Sequence, residues 1–340
     1  MDRDVLDEDV ITGDGVPLKD QHPMQNTAEY KEYRRLWELA TKREIMTDFP
    51  LHIDIELTST CNLKCSMCWQ SGSLIYPKGF MKMDLFKKII DEGVENGMRA
   101  IKLQSRGESM MHPQILEAIR YAKDKGVLDI QLTTNATLLK PEKFDSLLDS
   151  GIDVLIFSID VAHKESYEQL HPGKKYADIV ETIVAFLNRR KERGLKYPFV
   201  RVQAVKVGGA DLNPHVQSIL NRIMDLVDRI EVGELFTLVD ESQQIDKSKF
   251  ELLPCPYLWQ RMVANYDGKI TMCCRDYNCE HVLGDANKQT IKAIWNGPVY
   301  TKSRELHSKM QRDLIKVCAH CNLYIRERKP TVEIPVQMNK

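Results

Sequence analysis

The chain has 340 residues, 43% of them hydrophobic and 29% charged, with a net charge of −1. That near-balance excludes the basic excess of a nucleic-acid or membrane-surface binder, and the length allows two domains or one α/β barrel with an appendage. There is no run of about 20 apolar residues and no secretory signal pattern, so a cytoplasmic setting is expected, where nine cysteines point to metal or redox chemistry rather than disulfides.

Residues 1–26 read as a solvated acidic arm, with Asp2, Asp4, Asp7, Glu8, Asp9, Asp14 and Asp20 against only Arg3 and Lys19. A helix is predicted from Thr27. Tyr33, Leu36, Trp37 and Ala40 share one face of it, read as a packing face against the main domain. Arm and helix together make up residues 1–48. Short apolar runs follow, at Leu51–Leu57, Ala100–Leu103, Asp129–Thr133, Asp153–Ile159, Phe199–Val207 and Arg229–Leu235. Between them lie helical patterns at Asp84–Glu95, Pro113–Lys125, Pro141–Asp149, Tyr176–Arg193 and Pro214–Val227, with Pro113, Pro141 and Pro214 placed as first-turn residues.

Six strand–helix alternations imply an α/β fold with a parallel sheet. They are too few for a closed barrel of about eight units, so an open, partial (β/α)6 barrel of the TIM type over residues 49–237 is expected. Residues 240–250 are polar and read as a linker. The stretch 238–330, with six cysteines and no clear alternation, reads as a small domain with a thin core organised by a metal centre. Residues 331–340 form a tail.

In such a sheet chemistry collects beyond the carboxyl ends of the strands. CNLKCSMC, with Cys61, Cys65 and Cys68, begins just after the first strand and lies at that end. Thiolates suit iron–sulfur clusters or zinc. Three sulfurs without a fourth nearby suggest an iron left open for an exogenous ligand; the bland alternative is zinc completed by His52 or another distant residue.

CxxxCxxC on this loop of a six-unit α/β chain resembles the radical S-adenosylmethionine (SAM) superfamily, over about residues 50–330. The resemblance implies a [4Fe–4S] cluster whose open iron chelates SAM, and a 5′-deoxyadenosyl radical that takes hydrogen from an unactivated C–H bond. The family's Gly-Gly-Glu-Pro-like turn corresponds to Ser105-Arg-Gly-Glu-Ser109, where only Gly107 and Glu108 match. Glu108 is thereby implied as acceptor for the SAM ammonium, the alternative being a helix N-terminal acid. Ser158 and Asp160 are implied at the ribose hydroxyls. Thr134-Asn135-Ala136 resembles the family's Thr-Asn-Gly turn, which would bring Asn135 to the cofactor or leave it a turn residue only.

Cys255, Gly268 and Cys273, then Cys318-Ala-His-Cys321, resemble the SPASM auxiliary-cluster extension in its shortened "twitch" form. The resemblance implies one closed auxiliary cluster on Cys255, Cys273, Cys318 and Cys321, with four-cysteine zinc as the alternative. Cys274 and Cys279 are left over, either inert or one of them the thiol that returns hydrogen to a substrate radical; Cys279 could also replace a ligand.

The expected cofactors are therefore two [4Fe–4S] clusters and SAM, with a reductant such as flavodoxin or ferredoxin, no nucleic acid and no membrane. The expected activity is oxidation of a sugar, aminocyclitol or nucleotide-sugar alcohol. Epimerisation through Cys274 or Cys279 is the first alternative. Maturation of a ribosomal peptide is the second, lowered by an N-terminal region that looks too short for the winged-helix peptide-recognition unit. A non-enzymatic zinc or electron-transfer protein is a distant third.

Overall fold

The computed structural model describes residues 24–65, 68–72, 75–159, 176–206, 222–234, 250–321 and 323–327. The acidic arm up to residue 23, Asp160, the patterned stretch from Pro214 to Asn221 and the polar linker up to Lys249 lie outside these residues. The first helix, α1, is Ala28–Thr41. Its N-cap is Thr27, whose hydroxyl accepts the Tyr30 N–H at 3.2 Å. Tyr30, Tyr33 and Ala40 are buried and Leu36 and Trp37 pack on the core, as the stripe predicts.

Six parallel strands follow: β1 His52–Ile55, β2 Ala100–Leu103, β3 Asp129–Thr134, β4 Val154–Ile159, β5 Phe199–Lys206 and β6 Arg229–Glu234. The helices α2 Met83–Glu95, α3 Ile115–Asp124, α4 Pro141–Leu148 and α5 Tyr176–Glu192 connect the first five. Pro141 opens α4, as expected, but Pro113 does not open α3. The buried His112 ring explains the difference. It contacts Met81 O through Nε2 and accepts the Gln114 N–H through Nδ1 at 3.2 Å, holding a turn ahead of the helix.

The strands alternate in character. Ile53, Ile55, Ile101, Leu103, Ile130 and Leu132 face the helices, with Phe86, Ile89, Ile119 and Ala122 in the same core. The other face carries Asp54, Lys102, Gln104, Arg201, Gln203 and Glu231. Barrel interiors are ordinarily filled by branched apolar side chains; here Val154, Ile156 and Phe199 form a small apolar cluster, and polar side chains line a cavity beside it.

The C-terminal segment continues the same sheet. It comprises β7 Phe250–Leu252, α6 Tyr257–Gln260, β8 Arg261–Ala264, β9 Lys269–Thr271, β10 Gly284–Asp285, α7 Ile291–Trp295, α8 Pro298–Ser308, α9 Lys316–Ala319 and β11 Ile325–Glu327. Strand β8 pairs in parallel with β1, giving the order β10-β9-β8-β1-β2-β3-β4-β5-β6, while β11 pairs with β7. The core of this segment is not thin. Trp295 and Tyr300 are fully buried in the main cluster, Trp295 Nε1 donates to Thr47 O at 2.7 Å, and the Arg304 guanidinium stacks on both rings. Among the described residues no helix is long and apolar enough to cross a membrane.

Candidate active site between two sets of cysteines

Cys61, Cys65 and Cys68 are half-buried on the loop after β1. The Leu63 N–H lies 3.4 Å from Cys61 Sγ, and the Cys68 N–H donates to Cys65 O at 3.0 Å. His52 cannot join them. It begins the strand whose far end leads to the loop, which places it roughly 10 Å below, and its Nε2 contacts Asp54 Oδ1 at 3.0 Å.

The turns after β2 and β3 close around this loop. Gly107 is required by contact: a Cβ there would stand 2.2 Å from Thr58 O and 2.6 Å from Thr60 O. That approach lets the Glu108 N–H reach Thr60 O at 2.9 Å. The Glu108 carboxylate is buried. It accepts Met110 N–H at 3.0 Å, Thr134 Oγ1–H at 2.8 Å and Asn135 N–H at 2.8 Å. Glu108 thus caps the short helix Ser109–Met111, the alternative left open by the sequence, and also pins the next turn. Burial raises its pKa against the pull of those three donors.

Asn135 Nδ2 lies 4.0 Å from Cys61 Sγ and donates to Asn62 Oδ1 at 3.2 Å, so the Thr-Asn-Ala turn reaches the cysteine loop. Ala136 adopts φ of +61°, the left-handed conformation that glycine takes more easily. Ser158 is half-buried on β4 beside Gln203.

Arg106 reads in the sequence only as a departure from the family turn. It is buried and binds Glu56 through both side-chain groups, with Nε to Oε1 at 2.6 Å. It also donates to Tyr277 O at 3.0 Å and Asn265 Oδ1 at 2.9 Å, and its guanidinium covers the Tyr76 ring at 4.2 Å. The turn after β2 is thereby tied to the C-terminal segment. Cys279 belongs to this node: its φ is +52° and its Sγ lies 3.7 Å from Arg106 Nη1.

Inside the barrel lies a cavity of about 440 Å³. Its charged walls are Asp54, Lys102, Arg201, Glu231, Arg261 and Arg275. Trp69, the residue after Cys68, forms another wall and stacks on Tyr277 with centroids 5.2 Å apart. Cys274 opens into the same space, whereas Cys279 does not line it. Burial lowers Lys102 to about 8, with Arg201 as the next contributor. Burial raises Asp54, but Arg261 and His52 outweigh it and hold the carboxyl at about 2. The sequence does carry a signal for this wall, in the alternation of HIDIEL, IKLQ, RVQ and RIE.

Cys255, Cys273, Cys318 and Cys321 converge on a second cavity of about 80 Å³. Cys274, Tyr257 and Arg275 line both cavities. Burial pushes the Cys255 thiol up to about 12 and also raises Cys273 and Cys318, with neighbouring cysteines adding to each shift. The Cys255 N–H donates to His307 Nδ1 at 3.1 Å, which leaves the proton of the neutral ring on Nε2. His307 Nε2 and Arg312 Nε are buried without a hydrogen-bond partner among the described residues, and both side chains line this cavity. An iron–sulfur cluster brings sulfur acceptors and negative charge, so the four thiols and two orphaned donors fit one. Among the described residues no three Cys, His, Asp or Glu side chains close up as the ligands of a single metal ion would. The fit to clusters rests on the donor type and its surroundings.

The family model of the radical SAM superfamily matches residues 55–199, and that of an iron–sulfur cluster-binding domain matches residues 255–322. The chain is 31% identical, over 80% of its length and 87% of the relative's, to a tungsten-containing aldehyde ferredoxin oxidoreductase cofactor-modifying protein of Pyrococcus furiosus. It is 38% identical to the AdoMet-dependent heme synthase of Methanosarcina barkeri, across 38% of this chain and only 37% of that protein. In fold it is similar to BtrN, solved with AdoMet and 2-DOIA, with a TM-score of 0.54 at 17% identity, covering 82% of this chain and 94% of that one.

Proposed function

The chain belongs to the radical SAM superfamily, and we propose that it oxidises a polar small molecule by hydrogen-atom abstraction in the charged cavity between its two sets of cysteines. One observation carries this reading. Trp69 from the first cysteine loop and Cys274, beside Cys273 of the second set, face the same space. A [4Fe–4S] cluster on Cys61, Cys65 and Cys68, with SAM, supplies the radical that takes hydrogen from a C–H bond. Glu108 holds the Asn135 turn against Cys61 and keeps one lone pair of Oε2 for a SAM ammonium. Ser158 and Asp160 would meet the ribose. Cys255, Cys273, Cys318 and Cys321 would hold the auxiliary cluster, which would take the second electron once a base has removed the hydroxyl proton, and the cavity wall would position that substrate hydroxyl, as of a sugar, aminocyclitol or nucleotide sugar. A flavodoxin or ferredoxin would serve as reductant.

Epimerisation is the second reading, favoured by the opening of Cys274 into the cavity. In this reading Cys274 would be the donor rather than Cys279, which does not line the cavity and whose Sγ lies 3.7 Å from Arg106 Nη1.

Anaerobic reconstitution should give about eight iron atoms per chain. Replacing Cys61, Cys65 and Cys68 by Ala should halve that and abolish formation of 5′-deoxyadenosine. Cleavage of SAM by the triple variant would overturn the proposal. Solvent deuterium in a stereo-inverted product, lost in C274A, would replace oxidation by epimerisation.

A further inference from the structure

We infer that the barrel cavity binds an anionic group of the substrate, a carboxylate or a phosphate, against Lys102 and the arginines around it. The inference rests on the proposed function for seating substrate there. Three cations, Lys102, Arg201 and Arg261, face two carboxylates, Asp54 and Glu231; Arg275 also lines the cavity and has a partner of its own.

Both carboxylates are already engaged. Glu231 lies 3.1 Å from Arg201 Nη1 and 2.8 Å from Arg229 Nε. Asp54 lies 3.0 Å from His52 Nε2 and 3.5 Å from Arg261 Nη1. Lys102 makes no ion pair or hydrogen bond among the described residues, although it stands in the middle of β2 and its register partner across β1 is Asp54. Arg201 Nε and Arg261 Nε are buried without a hydrogen-bond partner among the described residues.

Unmet donors alone would accept any hydroxyl. The excess of positive charge is what separates an anion from a neutral polyol, because only an anion offsets it. SAM has its own expected contacts: Glu108, Asn135 and Ser158 do not line this cavity. Depression of the lysine by burial and by Arg201 fits a site short of negative charge. The charged and titratable groups facing Lys102 are Asp54 on β1, Arg201 on β5, Arg261 on β8 and Cys274 beyond β9.

The test is calorimetric titration of the reconstituted holoenzyme, saturated with SAM and without reductant. The probes are glucose, glucose 6-phosphate and glucuronate, so that phosphate and carboxylate form separate arms. At least one charged probe should bind about tenfold or more tighter than glucose. That advantage should fall as the pH rises from 7 through the lysine titration near 8. K102M, checked for wild-type iron content, should remove most of the advantage. K102R should keep it and lose the pH dependence; a pH dependence that survives in K102R counts against the lysine. Equal affinity for charged and neutral probes, no binding of either charged probe, or an advantage unchanged in K102M would each overturn the inference. Failure of the wild type to release 5′-deoxyadenosine on reduction would instead overturn the proposed function, and leave these titrations readable.

Discussion

Arg106 shows how one side chain can join chemistry to architecture. It follows the strand whose turn carries Gly107 and Glu108, yet three of its contacts, with Tyr277, Asn265 and Cys279, are in the C-terminal segment. Its partner Glu56 is fully buried. Removing one member of a buried pair strands the other charge, at a cost of roughly 3–5 kcal/mol, whereas apolar replacement of both is often near neutral. Arg106→Leu should therefore lower the denaturation midpoint sharply, and Glu56→Leu with Arg106→Leu should recover much of the loss. Denaturant titration of the single and double variants measures this. A double variant as unstable as R106L would mean that the bonds to Tyr277 and Asn265 matter more than the pair.

At the scale of elements, the working loops follow β1, β2 and β3 and lean on each other through backbone contact. Gly107→Ala tests that contact, since the added carbon would overlap two carbonyl oxygens that belong to the chain ahead of Cys61. Overpacking of this kind costs about 1–3 kcal/mol, and here it also moves Glu108 away from Asn135. G107A should bind SAM more weakly in equilibrium titration as well as unfold earlier; unchanged SAM affinity would show that the turn can shift without cost. These loops were legible in the sequence because spacing and strand order place them. The six parallel strands and the four helices that connect the first five were legible too, within a residue or two at most ends. Less legible was the inner face. Runs such as Leu51–Leu57 read as continuous buried strands when weighed by β-branched content, and their polar alternate residues become informative only once the barrel interior is seen to be open. His307 and Arg312 gave no spacing at all, because they reach the second cavity from separate short elements.

At the scale of the whole molecule, the two sets of cysteines lie in one folded body because β8 extends the barrel sheet at β1. The four β8 residues Arg261–Ala264 pair with His52–Ile55, the strand that leads into the first cysteine loop. Behind this edge, Met262, Ala264, Ile270, Trp295 and Tyr300 share a single core with the barrel helices. A polar linker in the sequence suggests that the barrel could stand alone, but the sheet order argues otherwise. Cutting after Leu252 would bare the length of β1, expose that apolar surface to water and deprive Arg106 of its partners beyond the cut. Unpaired parallel edges of this kind invite aggregation. A chain of residues 1–252 should accordingly fail to unfold cooperatively on heating and should not release 5′-deoxyadenosine after reconstitution, even though it keeps Cys61, Cys65 and Cys68. A truncated chain that melts cooperatively and cleaves SAM would show that the barrel does not need β8, and that the second set of cysteines is a module added to a complete enzyme.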